Sequence, residues 1–178
     1  MMNRTLAAVI AAGFAAAASG QELLEGYTCC NLHYDKDWIS DANWSSLPTI
    51  PAGTPIKVLS YGGNNRAAVE IDGKPFRLGH DYGRNEEPLE KFVAKYVVKA
   101  NPRARIERYP EKVRTAIHGG KVIPGMTREQ VIVAVGYPPT HQTRTLDAPV
   151  WNHWWNRYSR YEVHWTDKGT VEKVVGRQ

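Results

Sequence analysis

The run Thr127-Arg128-Glu129-Gln130, followed by Gly136 and Pro138-Pro139, constrains this chain more than any other stretch. The Thr127 hydroxyl can accept the amide hydrogen of Gln130 while the Gln130 side chain reaches back to the Thr127 amide, the reciprocal capping box of a helix start. Val131, Ala134 and Val135 then share one face. Gly136 suits the left-handed conformation that ends a helix, and two prolines cannot continue one. A short, inward-facing helix is therefore expected over 128–135.

Its surroundings are patterned too. A preceding helix is expected from Pro110 to His118, with Val113 and Ile117 inward and Gly119 as its stop. Strands are expected over Val150 to Asn156, Ser159 to Thr166 and Thr170 to Val175. In the middle one Tyr161, Val163 and Trp165 point one way, while Arg160, Glu162 and His164 point the other. Two short helices before an antiparallel meander predict an α+β layer, with helices on one sheet face.

The N-terminal half alternates with period two. Ile56-Lys57-Val58, Ala67 to Ile71, and Phe76-Arg77-Leu78 read as half-buried strands, separated by Gly62-Gly63-Asn64-Asn65 and by Asp72-Gly73. Asp-Gly is a preferred type I′ hairpin pair. This strand spacing resembles an SH3-like barrel. A helix should follow, because Leu89, Phe92, Val93, Tyr96 and Val97 form one apolar stripe. Glu87 and Lys91 are spaced to pair on it, and Asn101-Pro102 would end it.

The first twenty residues read as an export signal. Arg4 supplies a positive start, Leu6 to Ala18 is unbroken apolar sequence, and Ala18-Ser19-Gly20 offers small residues for cleavage near Gly20-Gln21. No cysteine directly follows, so there is no lipobox, and no later segment is apolar enough to span a membrane. The mature chain is expected to be periplasmic. The boundaries are then 1–20 signal peptide, 21–84 β-rich module, 85–109 helix and basic linker, and 110–178 α+β domain.

Formal charge is +5, and residues 99–114 hold nearly all of the excess. Lys99, Arg103, Arg105, Arg108, Lys112 and Arg114 stand there against Glu107 and Glu111. Arg103, Arg105 and Arg108 are candidates for contact with an anionic membrane surface or phosphate, beside the plainer reading of a solvated linker. No stacking aromatics interleave them, so nucleic acid is not an expected partner.

The sequence from Ile117-His118-Gly119-Gly120 through Gly125-Met126-Thr127-Arg128-Glu129-Gln130-Val131, then Gly136-Tyr137-Pro138, Trp151 and His164-Trp165-Thr166-Asp167, resembles the SmpA/OmlA family. These are the BamE-like outer-membrane assembly proteins, and the resemblance covers roughly residues 110–176. It implies a two-helix, three-stranded antiparallel sandwich acting as a non-catalytic binding module of the bacterial envelope. The expected fold is thus α+β: an N-terminal SH3-like small β-barrel plus a C-terminal BamE-like sandwich.

Candidate chemistry is sparse. Cys29, Cys30 and His33 have the soft-ligand types for copper or zinc, although adjacent strand residues point to opposite faces. Cys30 with His80 and Asp81 has the residue types for a thiol nucleophile, base and orienting acid. His141, His153 and His164 lack ligand spacing. Trp151-Asn152-His153-Trp154-Trp155-Asn156-Arg157-Tyr158 places Trp151, His153 and Trp155 on one strand face and Trp154 on the other. Trp154, Arg157 and Tyr158 are therefore candidates for an exposed protein-binding patch, unless the N-terminal module covers Trp154. The expected function is an exported, non-enzymatic binding or scaffold protein without cofactor, docking on envelope proteins or cell-wall components. A Cys-dependent periplasmic enzyme and a periplasmic metal-binding protein are the alternatives.

Overall fold

The computed structural model describes residues 23–178, so the export signal and its cleavage point lie outside the described residues. The elements are β1 (Glu25–Thr28), β2 (Leu32–His33), β3 (Trp38–Ser40), β4 (Thr49–Ile50), β5 (Pro55–Gly62), β6 (Arg66–Ile71), β7 (Lys74–Gly79), α1 (Leu89–Tyr96), β8 (Val97–Val98), α2 (Arg103–Ile106), α3 (Glu111–His118), α4 (Arg128–Val135), β9 (Val150–Asn156), β10 (Ser159–Trp165) and β11 (Val171–Gly176). Alternation explains the central strands: Ile56, Val58, Ala67, Val69 and Ile71 are buried, and their polar neighbours face outward. Asp72 and Gly73 both take positive φ, 51° and 72°, in the two-residue turn between β6 and β7.

Six strands form one sheet in the order β3-β7-β6-β5-β1-β8, curled into a half-barrel. A three-stranded sheet runs β11-β10-β9, and β2 pairs with β4 in a small ribbon. This mixed α/β architecture overturns the expected SH3-like barrel plus BamE-like two-helix, three-stranded sandwich. The large sheet has two ends, β3 and β8, that do not meet, so no barrel closes.

Both ends come from outside the predicted strands. β3 lies parallel to β7, and β8 is cut from the end of the expected helix. Val97 and Val98 are β-branched, which favours strand over helix. They pair with Thr28 and Tyr27, so α1 stops at Tyr96 rather than at Asn101. Glu87, expected to pair with Lys91, instead pairs with Lys95 one turn further on.

The C-terminal elements do not form a self-contained sandwich either. Asn31 donates through Nδ2 to the carbonyls of Ile117 at 2.7 Å and Ala134 at 3.0 Å, and its Oδ1 accepts from the Ala52 amide. Asn43 donates to the carbonyl of Val135 at 2.9 Å. Two buried side chains of the N-terminal half thereby satisfy the open carbonyl end of α4 and tie it to the end of α3. The Ser45 and Ser46 amides bond to the carbonyls of Trp154 and Trp155, covering the outer edge of β9.

Two apolar cores result. One lies under the large sheet and α1, around Leu32, Ile39, Val58, Phe92 and Val93. The other lies among α3, α4 and the three-stranded sheet, around Ile117, Val131, Trp151, Tyr161 and Val163. Ile132 packs against both cores, which places α4 at the seam and leaves it apolar on nearly every side. Its start carries the capping box, with Gln130 N bonded to Thr127 Oγ1 at 3.3 Å and Thr127 N to Gln130 Oε1 at 2.9 Å.

Candidate functional site

The basic stretch folds as α2, a single turn after Pro102 with Ile106 buried beneath it. Residues two apart on a helix lie about 200° apart around its axis. Arg103 and Arg105 consequently face different ways, and α2 borders two concavities. Arg103 lines the first; Arg105 and Arg108 line the second.

The first concavity is a trough of about 920 Å³ between the β2–β4 ribbon and the β6–β7 hairpin. Tyr34 and Phe76 stand edge to face in its wall with ring centroids 5.4 Å apart, and Pro51, Pro55 and Pro75 extend the apolar surface. Lys36, Lys74 and Arg103 ring it against one carboxylate, Asp72. Alternation along β7 explains part of this: Lys74, Phe76 and Leu78 share a face that runs from rim to core. Lys36 and Tyr34 were not legible as partners of these residues, because the turn carrying Lys36 at φ 58° has no periodic signal.

The second concavity is a cleft of about 690 Å³ between α2 and α4. Cys29, Val98, Ile132, Val133 and Tyr137 line its interior, with Arg105, Arg108 and Glu129 on its rim. Arg105 is ion-paired with Glu129. Burial pushes the Tyr137 hydroxyl up to about 12, so it stays protonated as a hydrogen-bond donor.

The thiols do not form a metal centre with His33. Cys30 is 0% exposed, and burial, followed by the adjoining Cys29 thiol, pushes it well above its ordinary value. His33 is buried, with Nδ1 near Leu47 O and Thr49 Oγ1, both at 3.1 Å, and burial lowers its pKa. Among the described residues no group of three His, Cys, Asp or Glu side chains converges on a metal position.

The thiol, base and acid combination is not assembled. Asp81 is bound to Arg66 at 2.5 Å. His80 is buried against the face of Phe92, with ring centroids 4.2 Å apart. Its Nδ1 lies 3.1 Å from Asp41 Oδ2, and its Nε2 lies 3.0 Å from the Glu87 carbonyl. Both ring nitrogens are occupied by acceptors, which leaves neither as a base for Cys30. Asp41 also accepts from the Tyr82 and Gly83 amides, both at 2.9 Å. The Asp41–His80 pair, missed in the sequence because 39 residues separate its members, therefore organises the loop after β7.

The aromatic run is divided by strand geometry. Trp151 and His153 are buried, and Trp155 packs at the edge of the same core beneath the cations of Lys121 and Arg177. Trp154 is half-buried beside Ala42 and Trp44, with its indole nitrogen enclosed, so the N-terminal half covers it. Arg157 is exposed, lines the same small cavity as Trp154 and lies 5.4 Å from the ring centroid of Tyr158, which is 83% exposed at the hairpin tip. The three candidates are neighbours, with Trp154 the half-buried member of the group and Arg157 and Tyr158 the exposed ones. His141 stacks on Tyr82, and His164 bonds to Glu162 at 2.9 Å, so the histidines stay dispersed.

No family model, curated protein or solved structure matches the chain. Among the described residues no helix is long and apolar enough to cross a membrane.

Proposed function

We propose that this chain is a non-catalytic binding protein of the bacterial cell envelope, docking on an extended, acidic segment of a partner protein. The observation that carries this reading is the trough in which Lys36, Lys74 and Arg103 surround the aromatic and proline wall of Tyr34, Phe76, Pro51, Pro55 and Pro75. Rigid aromatic and proline surface binds a chain at small entropic cost, while three cations against Asp72 select negative charge. The commitment of His80, Asp81 and Cys30 to buried or paired positions supports binding over nucleophilic catalysis. The envelope compartment is supported by the charged, apolar and small-residue order of residues 1–20.

Fluorescence anisotropy with a labelled ten-residue peptide alternating glutamate with leucine and proline tests the site. Binding is expected, with at least a tenfold loss on K36E/K74E and no binding of the glutamate-to-lysine peptide. Equal binding of both peptides, or no effect of the double variant, overturns the trough as the docking site. Export is tested separately: protein recovered from the periplasm should begin at Gln21 by intact mass, and retention of the full chain in the cytoplasm would refute it.

A further inference from the structure

The cleft between α2 and α4 differs from the trough in chemistry. Its interior is apolar, and it opens at the seam between the two cores, where Val98, Ile132 and Tyr137 are left only half-buried. Its rim carries Arg105, Arg108 and Glu129. Arg105 is paired with Glu129, and no ion pair holds the Arg108 guanidinium among the described residues. One uncompensated guanidinium therefore stands over an apolar floor.

We propose that this cleft binds a single-chain amphiphilic monoanion, namely a long-chain carboxylate. The apolar chain would lie on Val98, Ile132 and Tyr137, and the carboxylate would meet Arg108. The charge argument is direct: two arginines and one glutamate leave a net charge of one, which a single carboxylate balances. A guanidinium can bind a carboxylate through two parallel hydrogen bonds, a geometry that a neutral alcohol head cannot reproduce. The volume, about 690 Å³, is that of a small-molecule pocket and suits one acyl chain better than a two-chain lipid. An inorganic anion would leave the apolar floor wet and gain nothing from it.

The cleft contains its own reporter. Cys29 lines the floor and is 6% exposed, whereas its neighbour Cys30 is 0% exposed and absent from the lining. In the folded protein a thiol reagent should therefore label Cys29 slowly and Cys30 only on unfolding, so a ligand in the cleft reads out as protection of one thiol.

The experiment measures the labelling rate of the native full chain with a small maleimide, with and without palmitate below its micelle concentration. Hexadecanol serves as the neutral control, and C29S confirms which thiol is seen. Palmitate is expected to slow Cys29 labelling at least tenfold and hexadecanol several-fold less. R108E should remove the palmitate protection without changing the melting temperature, because Arg108 is exposed and unpaired. Calorimetric titration of palmitate gives a second measurement independent of the thiol. Absence of protection, equal protection by alcohol and acid, or palmitate binding unchanged in R108E would each overturn the proposal.

Discussion

The side-chain amide of Asn31 donates to the carbonyl of Ile117 at 2.7 Å, joining the N-terminal half to the end of α3 across 86 residues. The same amide reaches the Ala134 carbonyl at the end of α4. One buried side chain thus supplies the partner of an α4 carbonyl and a second bond to the last turn of α3, whose Ile117 carbonyl already accepts from the Gly120 amide at 3.0 Å. The α3 end is closed locally by the amides of Gly119, Gly120 and Lys121, whereas the groups that complete the α4 end after Gly136 come from Asn31 and Asn43 in the other half of the protein.

Replacement of Asn31 by alanine should therefore be severe. It leaves the Ala134 carbonyl and the Ala52 amide without partners in a buried place and takes one of two bonds from the Ile117 carbonyl, which should cost about 3 kcal/mol. Chemical denaturation should show a midpoint shift of that size. A change below about 1 kcal/mol would mean that water replaces the amide.

Gly136 adopts φ 82°, and a Cβ there would lie 2.6 Å from Asn43 Nδ2. G136A should suffer both backbone strain and displacement of the Asn43 bond to Val135. G73A, at φ 72° with open space around it, should suffer only the strain, on the order of 1 kcal/mol. Equal losses in the two variants would show that contact with Asn43 contributes nothing.

The helix start is testable alone. T127A removes the acceptor for the Gln130 amide and should destabilise by about 1 kcal/mol. A restoring T127S variant should recover most of that loss, since serine offers the same oxygen. Failure of serine to rescue would assign the effect to the threonine methyl instead.

His153 gives the protein a pH dependence of definite sign. Burial lowers its pKa from 6.5 to about 3, so the folded state holds it neutral while the unfolded chain protonates it. This contribution is full above pH 6.5 and falls progressively toward pH 3, by at most about 1.4 kcal/mol per pH unit. His33, also lowered by burial, acts in the same direction. Denaturation midpoints should drop from pH 7 to pH 4, and H153F should show a shallower drop. An unchanged slope in H153F would remove His153 from the account.

Elements were legible where a local signal exists. The β6–β7 hairpin follows from Asp72-Gly73, and α4 follows from Thr127, Gln130 and Gly136, because turns and caps are interactions among residues a few positions apart. β8 was not legible: Val97 continues the apolar stripe of α1, and only the free edge of β1 turns Val97 and Val98 into a strand. The candidate arginines were visible as a charge run, but their division between two concavities depends on what packs beside α2.

Sequence alone determined the turns, the caps, the alternating strands and the positive stretch, since each depends on neighbours along the chain. Tertiary structure decided that the large sheet stays open, that Trp154 is covered by Ala42 and Trp44, and that His80 is bound to Asp41 rather than joined to Cys30. Those outcomes depend on long-range satisfaction of buried polar groups and sheet edges. Each polar group had several partners available within the sequence, and burial selected among them because an unpaired group away from water costs more than most packing alternatives gain.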